Sequence, residues 1–147
     1  LREPGRGAGL VMRTVTVIGL TAAVLAAALH VLIFWMESVA WEGPLARRTF
    51  GGTPEEARPH AFYAYNQGFY NLFLALETLL GVFLRVAGGS GPASWAGTAL
   101  ALFGTGSMLA AALVLALRSP AHRGAALKQG TLPAVAVVCL ALGVLLG

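Results

Sequence analysis

The sequence predicts an all-α polytopic membrane protein, a four-transmembrane-helix bundle. Three observations predict it. The 147 residues are 57% hydrophobic and only 11% charged, with a mean hydropathy of +0.75, whereas soluble domains carry about 25% charged residues. The apolar residues gather into four runs near 14–36, 65–86, 95–117 and 126–146, each of membrane-crossing length. The basic residues fall mainly in the gaps between runs, as expected where side chains meet headgroups or water.

These features also exclude function classes. The net charge is +4, but no basic stripe interleaved with aromatics is present, which argues against a nucleic-acid partner. Cys139 is the single cysteine, so neither an intrachain disulfide nor a two-cysteine metal or redox motif is available. It reads as a small buried hydrophobe. There is no phosphate-binding Gly-rich loop followed by Lys, no His-Glu-x-x-His and no evident Ser/His/Asp arrangement.

Taken in order, residues 1–13 read as a flexible leader containing Arg2, Pro4 and Arg6, with Met12 as a candidate natural start. The first span, 14–36, reaches roughly 35 Å, enough for a hydrocarbon core of roughly 30 Å. Its length and the absence of a small-residue cleavage site favour a retained span over a signal peptide. His30 is its one strongly polar interior residue and Glu37 closes it. On a straight helix these two share a face about 10.5 Å apart, too far to hold one ion together. Trp35 and Trp41 suit an interfacial belt.

The connection over 38–64 is the longest polar stretch. Thr53-Pro-Glu-Glu56 carries a capping-box signature. It predicts either a short interfacial helix before Pro59 or an ordered loop. The second span, 65–86, opens on the most unusual stretch in the chain, Tyr65–Glu77, which places Asn66, Gln67, Asn71 and Glu77 in an apolar run. Helical offsets put Asn66, Tyr70 and Glu77 on one line, and Gln67 and Asn71 one turn apart. Polar groups in hydrocarbon need protein or water partners, so this face is expected to point inward. Arg85 is placed to snorkel, and Gly88–Pro92 forms a turn. In the third span, 95–117, Gly97, Gly104, Gly106 and many alanines predict close helix packing. A basic turn over 118–124 leads to the fourth span, with Gln129 and Gly130 at its mouth. Pro133 would suit a first turn, but a span starting there is short, so 125–133 are placed in the same helix and the span runs over 126–146.

Four antiparallel spans put both termini on one side. The side of the first and third connections carries Arg47, Arg48, Arg58, Arg118, Arg123 and Lys128, and the opposite side Arg2, Arg6, Arg13 and Arg85. The excess predicts cytoplasmic connections and extracytoplasmic termini.

The polar residues admit two readings. His30 suits a metal or haem ligand or a proton-exchanging group, and equally a structural hydrogen bond. Glu77 is the most conspicuous intramembrane charge, either a transport group or a neutral structural one. Asn66, Gln67, Tyr70 and Asn71 can grip a polar ligand or lock helix to helix.

His30 through Glu37, and the motif Asn66-Gln-Gly-x-Tyr-Asn71 followed by Leu and Ala, resemble the small bacterial integral-membrane domain-of-unknown-function family number 1304. The likeness runs from about Thr14 to the C-terminus and includes Phe50 and Gly68. It implies a four-span protein of the bacterial cytoplasmic membrane. It brings no established reaction, and Glu77 matches no position of its motif.

The resulting expectation is a small molecule, hydrophobic or cationic, bound or transported at a polar intramembrane site. The candidate residues for ligand binding or proton exchange are His30, Glu37, Asn66, Gln67, Tyr70, Asn71, Glu77 and Gln129. At 15.2 kDa the chain is small for a lone transporter, so a homo-oligomer in contact with membrane lipids is expected. An intramembrane enzyme, a cofactor-binding protein and a non-catalytic structural protein are the alternatives. The sequence assigns no catalytic residue, metal or cofactor.

Overall fold

A computed structural model describes residues 4–147, with side chains from Arg6 onward. Helix α1 spans Pro4–Phe34 and continues as a π-helical turn over Trp35–Val39. Short helices α2 (Pro44–Phe50) and α3 (Pro54–Ala57) follow, and a 3-10 turn at Arg58–His60 carries the chain into α4 (Ala61–Ala87). Helix α5 covers Pro92–Arg118, and α6 covers Arg123–Leu146 after a second 3-10 turn at Pro120–His122. Four helical stretches are long and apolar enough to cross a membrane: Arg6–Val39, Pro54–Ala87, Pro92–Arg118 and Pro120–Leu146. The protein is an all-α, four-span membrane bundle.

The spans run up and down in sequence. Helix α1 packs on α4 and α6, and α5 packs on the same two, so α1 and α5 lie diagonally across the bundle. The core is built from small side chains. Ala22, Ala23, Ala26 and Ala27 line the buried face of α1, and Ala64, Gly68, Asn71, Ala75, Thr78 and Gly81 that of α4. Lipid supplies no hydrophobic drive between spans, and small residues let backbones approach and gain dispersion contacts instead.

The start of α1 differs from the sequence reading. Helix α1 starts at Pro4, so residues 4–13 are helical where a flexible leader was expected; residues 1–3 lie outside the described residues. Pro4 suits the first turn, and the three following glycines each cost only about 1 kcal/mol in a helix otherwise made of Arg, Ala, Leu, Val and Met. Pro133 lies inside α6, as expected from placing 125–133 in the same helix as the fourth span. The residues from Arg123 onward, rich in Ala, Leu, Lys and Gln, extend the helix ahead of it.

The long connection folds as a helical cap. Thr53 and Glu56 form the capping box, with the Thr53 hydroxyl accepting from the Glu56 amide and the Glu56 carboxylate accepting from the Thr53 amide. The Trp41 indole N–H donates to the Ala57 carbonyl at 2.8 Å, and the Arg47 guanidinium lies over the Trp41 ring, 4.3 Å from its centroid. Arg58 reaches back with two N–H donors to the Glu42 carboxylate, the shorter contact being 2.8 Å. That hydrogen bond holds the Glu42 carboxyl below its ordinary range. A lowered folded-state pKa means that the pairing contributes fully above the unfolded carboxyl's value and is lost as pH falls through the folded one. Both partners are exposed, so the contribution is small. A carboxyl-carbon NMR titration of Glu42 should show a depressed midpoint that returns to the ordinary value in Arg58→Gln.

Candidate functional site

The site starts from the π turn. Its i to i+5 spacing, seen in the Ala40 amide bonding the Trp35 carbonyl at 2.9 Å, adds a residue to the helix and re-aims the side chains beside it. Glu37 and Ser38 thereby face α4. Asn71 Nδ2 donates to Glu37 Oε2 at 2.9 Å, and Ser38 Oγ donates to the Tyr65 carbonyl at 2.8 Å. Gly68 makes this approach possible. A side chain there would drive into Ser38 Oγ, and its Cβ would stand 3.1 Å from Glu37 Cβ and from the Phe34 carbonyl. Asn71 is 7% exposed and Glu37 is half-buried. Among the described residues Glu37 has no other hydrogen-bond partner, so Oε1 keeps its acceptor capacity.

Two turns inward along each antiparallel helix, seven residues from Glu37 and seven from Asn71, lie His30 on α1 and Thr78 on α4. His30 is 1% exposed and Thr78 fully buried. His30 Nδ1 sits 2.9 Å from the Ala26 carbonyl. A carbonyl only accepts, so Nδ1 carries the proton and Nε2 of the neutral ring presents a bare lone pair. That Nε2 is buried and unpartnered, and so is Thr78 Oγ1. Unpaired polar atoms at this depth are rare and costly. On the opposite flank, Gly19 lies against Cys139 and Leu140, and Gly143 against Thr16. This register sets Gln129 at the height of His30. Pro133 has no N–H to give the Gln129 carbonyl.

The candidate residues therefore divide. Glu37 and Asn71 meet directly, and His30 lies below them on the same helix. Gln67 contributes its carbonyl, accepting a second Asn71 Nδ2 bond at 3.1 Å, while its side chain is exposed. Asn66 and Tyr70 point outward, Tyr70 with 60% exposure, and Glu77 is half-buried at the edge of that line. The inward orientation expected for Asn66, Tyr70 and Glu77 is thus not the one the helix adopts. Its buried seam is the small-residue line through Gly68, Asn71, Ala75 and Thr78, which brings α4 closer to its neighbours than aromatic side chains would permit. Thr78 and Ser38 were missed by sequence reasoning. Thr78 carried a signal, a polar residue seven positions after Asn71 on the same face. The π turn that turns Ser38 inward carried none.

Among the described residues, no three His, Cys, Asp or Glu side chains are grouped to hold a metal ion. The site instead offers acceptors: a carboxylate oxygen and an imidazole lone pair. It suits a species that brings its own hydrogen-bond donors. A family model described as "Protein of unknown function (DUF1304)" matches residues 24–141, a span that takes in every residue of this site. No curated protein and no solved structure matches the chain.

Proposed function

The chain belongs to the DUF1304 family, and from that premise we propose that it binds, and carries through the membrane, a small cation or other hydrogen-bond donor at the Glu37–Asn71–His30 site. The observation that carries this reading is the pair of open acceptors on one wall of α1, Glu37 Oε1 and the buried His30 Nε2. A protonated amine satisfies both atoms in turn, whereas an anion or a pure acceptor satisfies neither. Asn71 fixes the carboxylate without neutralising it.

In this reading the protein acts as a homo-oligomer. Asn66, Tyr70 and Glu77 lie along one outer line of α4, and polar groups facing hydrocarbon gain from a second copy that satisfies them. The basic excess on the connections supports insertion in the bacterial cytoplasmic membrane with both termini outside the cytoplasm.

The test uses protein extracted in mild detergent. Methylammonium should raise the melting temperature of the native chain, and native mass spectrometry should show an assembly of more than one copy. Glu37→Gln keeps the side-chain size and an oxygen for Asn71 but removes the charge. It should abolish the methylammonium shift while leaving the ligand-free melting temperature close to that of the native chain. An equal shift in native and variant protein would sink the site, as would a native chain unresponsive to ammonium and alkylamines alike.

A further inference from the structure

The far end of the bundle, roughly three to five helical turns from His30 along α1, holds a feature unrelated to that site. This end carries the termini and the turn between α4 and α5. A cleft of about 700 Å³ opens there between the first turns of α1 and α5 and the last turns of α4 and α6. It is lined by Arg13 from α1, Arg85 from α4 and Trp95 from α5, and by the apolar side chains of Val17, Leu20 and Val144.

The arginines are available. Arg85 gives one N–H to Ser94 Oγ at 3.2 Å, which orients the guanidinium and leaves its other donors free. Arg13 is exposed and makes no hydrogen bond among the described residues. No acidic side chain lines the cleft among the described residues. Arg85 stands two residues before the end of α4, and Trp95 is the fourth residue of α5. Both positions correspond to the headgroup layer, where Arg and Trp are favoured.

We propose that this cleft binds an anionic phospholipid, its phosphate clamped between Arg13 and Arg85 and one acyl chain lying along Val17, Leu20 and Val144. Paired guanidiniums match phosphate oxygens with parallel N–H donors. The apolar side chains of the same cleft fit a chain that free phosphate lacks.

The experiment titrates delipidated protein with dioleoyl phosphatidylglycerol, dioleoyl phosphatidylcholine or inorganic phosphate, and reads bound lipid by native mass spectrometry and melting temperature. The native chain should take up phosphatidylglycerol about 30-fold more tightly than phosphatidylcholine, since each of the two arginines near the surface adds roughly 1 kcal/mol of attraction for anionic lipid. The preference should weaken as salt is raised. It should fall in Arg13→Gln, whose exposed side chain is dispensable for folding, and vanish in Arg13→Gln with Arg85→Gln. Equal binding of the two lipids by the native chain would overturn the proposal, as would a preference that survives both variants. Inorganic phosphate that stabilises the chain as strongly as phosphatidylglycerol would overturn the lipid assignment and leave an anion site.

Discussion

Replacing Gly81 with valine should prevent α4 and α5 from closing and should cost the fold more than any other single change in the bundle. A Cβ at Gly81 would collide with the Ala101 amide nitrogen and stand 2.8 Å from the Gly97 carbonyl oxygen. Both are backbone atoms of a helix, so no rotamer change relieves the clash. The opposing position is reciprocal, because a Cβ at Gly97 would strike the Arg85 amide and the Gly81 carbonyl. The two helices touch main chain to main chain, and any side chain wedges them apart along their whole contact. Overpacking a core costs about 1–3 kcal/mol where side chains can yield, and more is expected where they cannot. Thermal unfolding in detergent should show Gly81→Val melting far below the native chain. Gly106→Val supplies the control. No atom lies within 4 Å of a Cβ built there, so its melting temperature should stay within the range of a surface substitution, about 0.5 kcal/mol. Equal behaviour of the two variants would mean that the α4–α5 contact is not the close one described.

The same contact explains what the sequence did and did not disclose. Four spans were legible because hydrocarbon demands long apolar runs, and composition alone reports that demand. The inner face of α4 was not legible by the same logic. Because polar groups in hydrocarbon need partners, the line of Asn66, Tyr70 and Glu77 reads as special and inward. In lipid, burial follows size, and the inward line is Gly68, Asn71, Ala75, Thr78 and Gly81. Gly97 and Gly104 on α5 obey this rule, as the small-residue content of that span suggested, whereas Gly106 meets no neighbour. The capping box at Thr53 was readable because it is a local exchange of hydrogen bonds within four residues. The π turn was not, because one inserted residue leaves no mark in the residue types around it. Yet that turn is what brings Glu37 onto Asn71, so the pairing at the heart of the site was beyond reach even though both partners were named.

His30→Leu should stabilise the protein and disable it at once. The present side chain gives its Nδ1 proton to the Ala26 carbonyl, and leaves Nε2 buried without a donor. The Ala26 bond is local and its carbonyl lies inside α1, so losing it costs little. Removing the unpaired Nε2 recovers the desolvation of a buried polar atom, about 1–3 kcal/mol. Leucine fills a similar volume among Ala26, Ala27 and the neighbouring core, so no large cavity offsets the gain. A rise in melting temperature is therefore the expected result for the ligand-free chain. A purely structural histidine would predict the reverse, since its partner groups would then be left unpaired. If Nε2 is instead the acceptor that receives a donor from the cargo, the methylammonium shift should disappear in this variant although the fold is firmer. His30→Gln keeps a polar group at the position and should recover neither property fully. A destabilised His30→Leu would show that Nε2 is already satisfied, and the inner half of the site would be a helix lock. A stabilised variant with the methylammonium shift intact would confine binding to Glu37 and Asn71. The unpaired lone pair is tolerated at a stability cost, and a cost of that kind is commonly retained where activity depends on it.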